Sequence, residues 1–301
     1  MAHREGFLRM PLVNRWADEL KEVMRIHYPE IEFSTKEFRH LVTIDVDVPF
    51  AFLDRSLVRT TLSVGKDIVS GKFKNIRKRV GVLRGKQPDP FDTYHFITSA
   101  VEPHGKAIQW FWHTGNFGRY DKSLRIDKPM VREAIQKLAE NYPVGIHPSY
   151  QSFHDPVKLH EEIERLKNVL GQPVTQSRQH YLRITFPFTY QNLIEEGIQE
   201  DYSMGYSSEP GFRASICTPF PFYNLEKDET TSLMIFPFEF MDGTFLRKKM
   251  DDREMEETIT YMSRQVRQTG GFFSGLWHNS TFGNEDSYRM KMFFERIVSE
   301  C

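Results

Sequence analysis

The chain has 301 residues, a formal net charge of -1 and two cysteines, Cys217 and Cys301. That balance provides no overall basic field for nucleic acid, and two cysteines exclude a disulfide framework and a cysteine-rich zinc site. A composition 39% hydrophobic and 14% aromatic supports one large core, and no apolar run reaches the roughly 18 residues of a membrane-spanning helix.

The polar start Met1-Ala2-His3-Arg4-Glu5 lacks a signal peptide's apolar segment, which makes a cytoplasmic chain the expectation. Gly6 to Asn14 then enters abruptly, like a linker leading out of a preceding domain. Leu12, Trp16, Leu20, Val23 and Met24 follow helical spacing after Pro11, so residues 1–38 read as a linker plus a helix. The remaining residues, 39–301, read as one barrel.

Residues 41–48 read as a buried strand, because Leu41, Val42, Ile44, Val46 and Val48 are apolar and mostly β-branched. Asp45 and Asp47 sit at its far end, two apart and so on one face of a regular strand. Two close carboxylates out of water need a shared proton, a cation or a metal. On this stretch alone, a surface strand with two aspartates on its polar face explains the pattern as well.

A helix is expected after Leu53, ending near Gly71. The positive cluster between Lys72 and Lys86 reads as a solvated face, and it lacks the interleaved aromatics of an anionic-polymer site. Further strands are expected at 107–112, at 144–146, around 178–183, near 198–203, at 233–240 and at 272–277. Helices are expected at 130–141, from the Asp155-Pro156 start to Gly171, around 190–196, at 251–268 and at 285–298. His95, His104 and His113 read as ordinary, and the phenylalanines at 186, 188, 220, 222, 236, 238 and 240 as core.

This alternation predicts an α/β fold, an irregular (β/α)7-type barrel with parallel strands. Chemistry in such barrels sits at the carboxyl ends of the strands, where Asp45, Asp47, His147, His180, Asp201, Asp242 and His278 are expected to converge. The polar loop after residue 146 adds Ser149 and Ser152. For Asp201 and Ser203, helix capping competes with lining the cleft; for Arg213, an ion pair with Asp201 competes with a substrate carboxylate; for Asp242, a turn competes with a site. A phosphoesterase would need a glycine-rich phosphate loop, and none is present.

Thr43-Ile44-Asp45-Val46-Asp47, Gly145-Ile146-His147-Pro148-Ser149, Arg178-Gln179-His180-Tyr181 and Leu276-Trp277-His278-Asn279 resemble, in the same order, the motifs of polysaccharide deacetylases of carbohydrate esterase family 4. The resemblance spans roughly residues 40–300. It implies an irregular (β/α) barrel that removes acetyl groups from N- or O-acetylated sugars with one divalent metal, zinc first among the choices. By the same resemblance Asp45 is the base, Asp47 and His147 bind the metal, His278 protonates the leaving group, Arg178 orients Asp45, and Trp277 and Tyr181 wall the sugar site. The departure is at Gln151, where the family's second metal-motif histidine belongs. His180, His154 or Gln151 itself could complete the ligand set, and His180 is preferred because a strand-end residue is held more rigidly than a loop tip. A barrel with a broken site that binds glycans without cleaving them is the rival reading.

Overall fold

The computed structural model describes residues 2–34, 36–284 and 286–301. Its strands, in chain order, are β1 (Phe38–Val46), β2 (Ala107–His113), β3 (Val144–His147), β4 (Gln176–Ser177), β5 (Glu200–Met204), β6 (Phe220–Asn224), β7 (Glu229–Pro237), β8 (Phe240–Met241) and β9 (Gly271–His278). They form one nine-stranded sheet in the order β6-β7-β5-β4-β3-β2-β1-β9-β8. Neighbouring strands run parallel except β6, which pairs antiparallel with β7. The two ends of the order, β6 and β8, are not partners, so the sheet curls into a barrel-type fold that stays open on one side.

β1 is central because both faces of it can be buried. Val42, Ile44 and Val46 are fully enclosed and belong to the outer core against the helices, whereas Leu41 joins Phe111 and Tyr202 in a smaller cluster within the curl. Thr43 and Asp45 continue the inner row by strand alternation. The inner face is therefore apolar at the bottom and polar toward the carboxyl ends. Gly145 lets β3 close against β4, since a Cβ there would lie 2.6 Å from the Gln176 carbonyl oxygen and 2.9 Å from the Phe111 ring.

Several elements differ from expectation. The expected fourth strand survives only as Gln176–Ser177; the chain then reverses through Tyr181 (φ 58) and Leu182 (φ 53), both in the left-handed region. Between β5 and β6 the Gly211 and Phe212 amides bond to the Glu239 and Leu8 carbonyls. The unexpected hairpin of β6 and β7 takes the sheet edge, a position that tolerates Pro221. Asp242-Gly243 opens a helix, Asp242–Lys248, instead of a turn. The basic stretch is a helix, Phe73–Leu83, and a further helix, Tyr94–Val101, buries Tyr94, Ile97 and Val101. The closing helix is Ser287–Glu300; its expected first residue, Glu285, lies outside the described residues.

The N-terminal helix, Leu12–His27, buries only Asn14, whose amide accepts from Cys217 N–H at 2.9 Å and donates to Thr218 Oγ1 at 3.1 Å. No helix among the described residues is long and apolar enough to cross a membrane.

Candidate metal centre

Parallel register brings the strand ends together. Asp45 pairs with His278 across β1 and β9, and His113 with His147 across β2 and β3. Asp47 follows two residues after Asp45, just past the end of β1, and turns back over the same rim. One carboxylate oxygen of Asp47 and one ring nitrogen each of His147 and His180 lie within 4.8 Å of one another. His147 Nε2 is 3.2 Å and His180 Nε2 3.6 Å from Asp47 Oδ1.

The hydrogen bonds behind these rings decide what their front atoms can do. His147 Nδ1 lies 2.6 Å from the Arg178 carbonyl oxygen, which can only accept, so Nδ1 carries the hydrogen. His180 Nδ1 donates to Asp121 Oδ1 at 3.0 Å. In the neutral rings both Nε2 atoms then present lone pairs toward Asp47 Oδ1, a buried oxygen that has no hydrogen-bond donor. Three lone-pair donors facing one another repel unless a cation lies between them. Two imidazole nitrogens, each held by a second partner, and one carboxylate oxygen match the donor set and outer-shell support of a divalent ion such as zinc. Burial opposes charge on His147, but the Asp45 and Asp47 carboxylates outweigh it and raise its pKa, so a proton and a divalent ion compete for one lone pair.

Asp121 is the hub of the outer layer. Its Oδ1 accepts from His180 Nδ1 and His113 Nε2, both at 3.0 Å, and from the Tyr150 amide at 2.9 Å. Burial works against its ionisation, but these donors hold its carboxyl well below the usual carboxylate range. His113 is kept neutral by burial and fixed in one tautomer, because its Nδ1 accepts from the Gly115 amide. Gly115 is needed there: a Cβ would sit 2.8 Å from the His113 ring and 2.3 Å from Ser149 Cβ.

Two further pairs flank this trio. Arg178, fully buried, donates from Nη1 to Asp45 Oδ1 at 3.0 Å and to Thr43 Oγ1 at 2.8 Å, and from Nε to the Tyr202 carbonyl at 2.9 Å. That leaves Asp45 Oδ2 facing His147 Nε2 at 3.8 Å. On the other side His278 Nδ1 donates to Asp242 Oδ1 at 2.7 Å, its backbone amide to Asp242 Oδ2 at 2.8 Å, and its Nε2 lies 3.8 Å from Asp47 Oδ2. Burial would lower the His278 pKa, yet the Asp242 charge raises it to about 10. Asp242 thus favours the imidazolium form of His278.

A cleft of about 410 Å³ opens over this rim, lined by Asp45, Asp47, His147, His180, Tyr181 and His278 among others. Tyr181 stands at its mouth beside Tyr120 and Tyr150, with ring centroids 6.3 and 5.5 Å away. Other expected residues lie elsewhere. Trp277, one position before His278, faces the opposite side of β9 and packs into Phe240, Phe282 and Phe294. Asp201 is enclosed, with both oxygens taken by Ser203 and its pKa pushed up to about 6 by burial. Ser149 and Ser152 are buried and bond to Glu162 and to each other. Arg213 donates to the Gly205 carbonyl at 3.2 Å instead of pairing with Asp201. Asp242 is wholly buried behind His278, a support for that ring and not a cleft wall. Of the other ligand candidates, Gln151 accepts from Lys158 Nζ, and His154 packs edge-on to Phe153 and tilted against Phe188.

The sequence reading missed His113 and Asp121 as part of the site, and also Arg247, which lines the cleft. His113 carried a usable signal: like His147 and His278 it is the last residue of a buried strand. Asp121 carried none, because it lies in a loop whose path depends on tertiary contacts.

The curled, mostly parallel sheet, its open side and its polar carboxyl-end rim together define an irregular (β/α) barrel-type fold. Among solved structures, a candidate polysaccharide deacetylase from Mycobacterium smegmatis superposes with a TM-score of 0.56 at 13% identity, over 90% of this chain and 87% of that one. Puue allantoinase superposes with a TM-score of 0.52 at 11% identity, over 88% and 84%. Neither a family model nor a curated protein sequence matches the chain.

Proposed function

We propose that the chain is a metal-dependent hydrolase that removes acetyl groups from N- or O-acetylated saccharides. The observation that carries this reading is Asp47 Oδ1, a buried carboxylate oxygen without a donor, set 3.2 and 3.6 Å from two imidazole nitrogens that are themselves backed as ligands usually are. Asp47, His147 and His180 would hold the ion, which when bound acidifies water and polarises an acyl carbonyl.

The chain's own residues supply the rest. Asp45 is the general base: Arg178 anchors Oδ1 and leaves Oδ2 on the cleft side to take a proton from the attacking water. His278 is the general acid, because Asp242 keeps it protonated until a leaving amine or alkoxide needs the proton. A base and an acid that both face one centre, Asp45 beside His147 and His278 beside Asp47, are what acyl hydrolysis requires. Tyr181 and its neighbours offer flat apolar faces for a sugar ring.

The test is acetate release from N-acetylated and O-acetylated oligosaccharides by zinc-reconstituted protein, with Asp45→Asn and His278→Gln as controls. Folded, metal-loaded protein that releases no acetate removes the hydrolase reading. Saccharide binding that persists unchanged in both variants, without turnover, supports the glycan-binding module in its place, and the exposed tyrosine rim is the observation that favours it.

A further inference from the structure

The segment between β1 and the helix Tyr94–Val101 is unlike the rest of the molecule. It folds as two helices, Leu57–Val69 and Phe73–Leu83, and the first has its amphipathicity reversed. None of its residues is buried. Its half-buried positions are mostly polar, Arg59, Thr60, Ser63 and Asp67, with Val64 the one aliphatic among them; Asp67 pairs with Arg79 of the second helix at 3.3 Å, and the Arg59 guanidinium lies over the Phe117 ring at 3.8 Å. Its other apolar positions face water. Leu57 is 85% exposed, Val58 67%, Leu62 69%, Val69 90%, and Phe73 at the start of the second helix 66%. Val58, Leu62 and Val69 recur at i, i+4 and i+11, and Phe73, Ile76, Val80 and Leu83 continue as a stripe along the second helix.

Cations rim this apolar surface. Lys66, Lys72, Lys74, Arg77, Lys78 and Arg84 are all exposed, and Asp67, the only acid between residues 56 and 86, is already committed to Arg79. Exposed aliphatics inside a basic rim need a partner that is apolar in the middle and anionic around it. A second copy of this chain meeting the same face would set like charges against each other. Nucleic acid would present anions but nothing for Leu57, Leu62 and Val69, and the face has no row of aromatics to stack on bases.

We propose that this helical hairpin is a peripheral docking surface for an anionic lipid bilayer, with the aliphatic stripe entering the interface and the lysines and arginines meeting headgroup charge. The hairpin packs near the carboxyl-end loops, with Arg59 over Phe117 of the loop after β2. The inference stands on the hairpin alone and is independent of the chemistry of the cleft.

Co-sedimentation with vesicles tests it. Full-length protein is expected to bind vesicles containing roughly one-third phosphatidylglycerol at least about tenfold more tightly than phosphatidylcholine alone, and to release as salt is raised to about 0.5 M. The triple change Leu62→Gln, Val69→Gln and Phe73→Gln should abolish binding to both, and Lys72→Glu, Lys74→Glu and Lys78→Glu should erase the anionic preference. All six side chains are exposed, so thermal unfolding should be unaltered; if either triple variant misfolds, Leu62→Gln or Lys74→Glu alone carries the test at smaller amplitude. The proposal is overturned if folded wild-type protein ignores anionic vesicles, if both variants bind as wild type does, or if the lysine changes abolish binding to duplex DNA in a protein that never binds lipid.

Discussion

Asp121 illustrates how one buried carboxylate can organise a site without touching its centre. It fixes the tautomers of His113 and His180 and thereby aims His180 Nε2 at Asp47. Two expectations belong to this scale. His180→Ala should lower metal affinity by more than 10-fold and Asp121→Asn by about 10- to 100-fold, while Gln151→Ala leaves it unchanged, as measured by metal content after dialysis. Equal loss in Gln151→Ala and His180→Ala would return Gln151 to the ligand set. The second concerns His278, whose pKa is raised from 6.5 to about 10. A raised imidazole contributes stability that is full below pH 6.5 and is lost as pH climbs through about 10. A general acid must also be protonated, so the rate should fall on the basic side. Asp242→Asn removes the charge that sustains the imidazolium, and should shift that basic limb to lower pH in a pH–rate profile. A limb that stays in place would show that the donor is another group.

Among the elements, β3 is short and tightly constrained, because Val144–His147 must bring His147 to the rim while lying tight against β4. Gly145 makes that possible. Gly145→Val should force β3 and β4 apart, cost on the order of 1–3 kcal/mol in stability, and lower metal affinity together with it, read by denaturant unfolding and metal titration. A variant with wild-type stability would mean that β4 yields easily. The turn after β4 has a comparable function. Two consecutive residues in the left-handed region cost roughly 1–2 kcal/mol each, and what they achieve is to fold His180 back beneath Tyr181 toward the rim.

For the whole molecule, the centre ties together strands far apart in the chain. Asp47 comes from the end of β1, His147 from β3, His180 from the turn after β4, and His278 from β9. An ion that binds only this assembled arrangement must stabilise the fold. With free metal at about 100 times Kd the gain is ~2.7 kcal/mol, so a chelator should lower Tm by several °C and added zinc should restore it. An unchanged Tm in protein shown to contain metal would place the ion elsewhere.

Hydrophobic pattern alone determined the class of fold, because buried parallel strands are continuous apolar runs and amphipathic helices repeat every 3.6 residues, both local properties. The polar residues closing those runs, Asp45, Asp47, His147 and His278, were legible for the same reason. The antiparallel hairpin, the left-handed turn at Tyr181 and Leu182, and the inward burial of Trp277, Asp201 and Asp242 were decided by tertiary structure. Each depends on which neighbour a residue meets across the sheet, and neighbours distant in sequence leave no local trace. The same holds for His180: its neighbours in the chain mark only a strand end, while Asp121, brought to it from a distant loop, aims its Nε2 at Asp47.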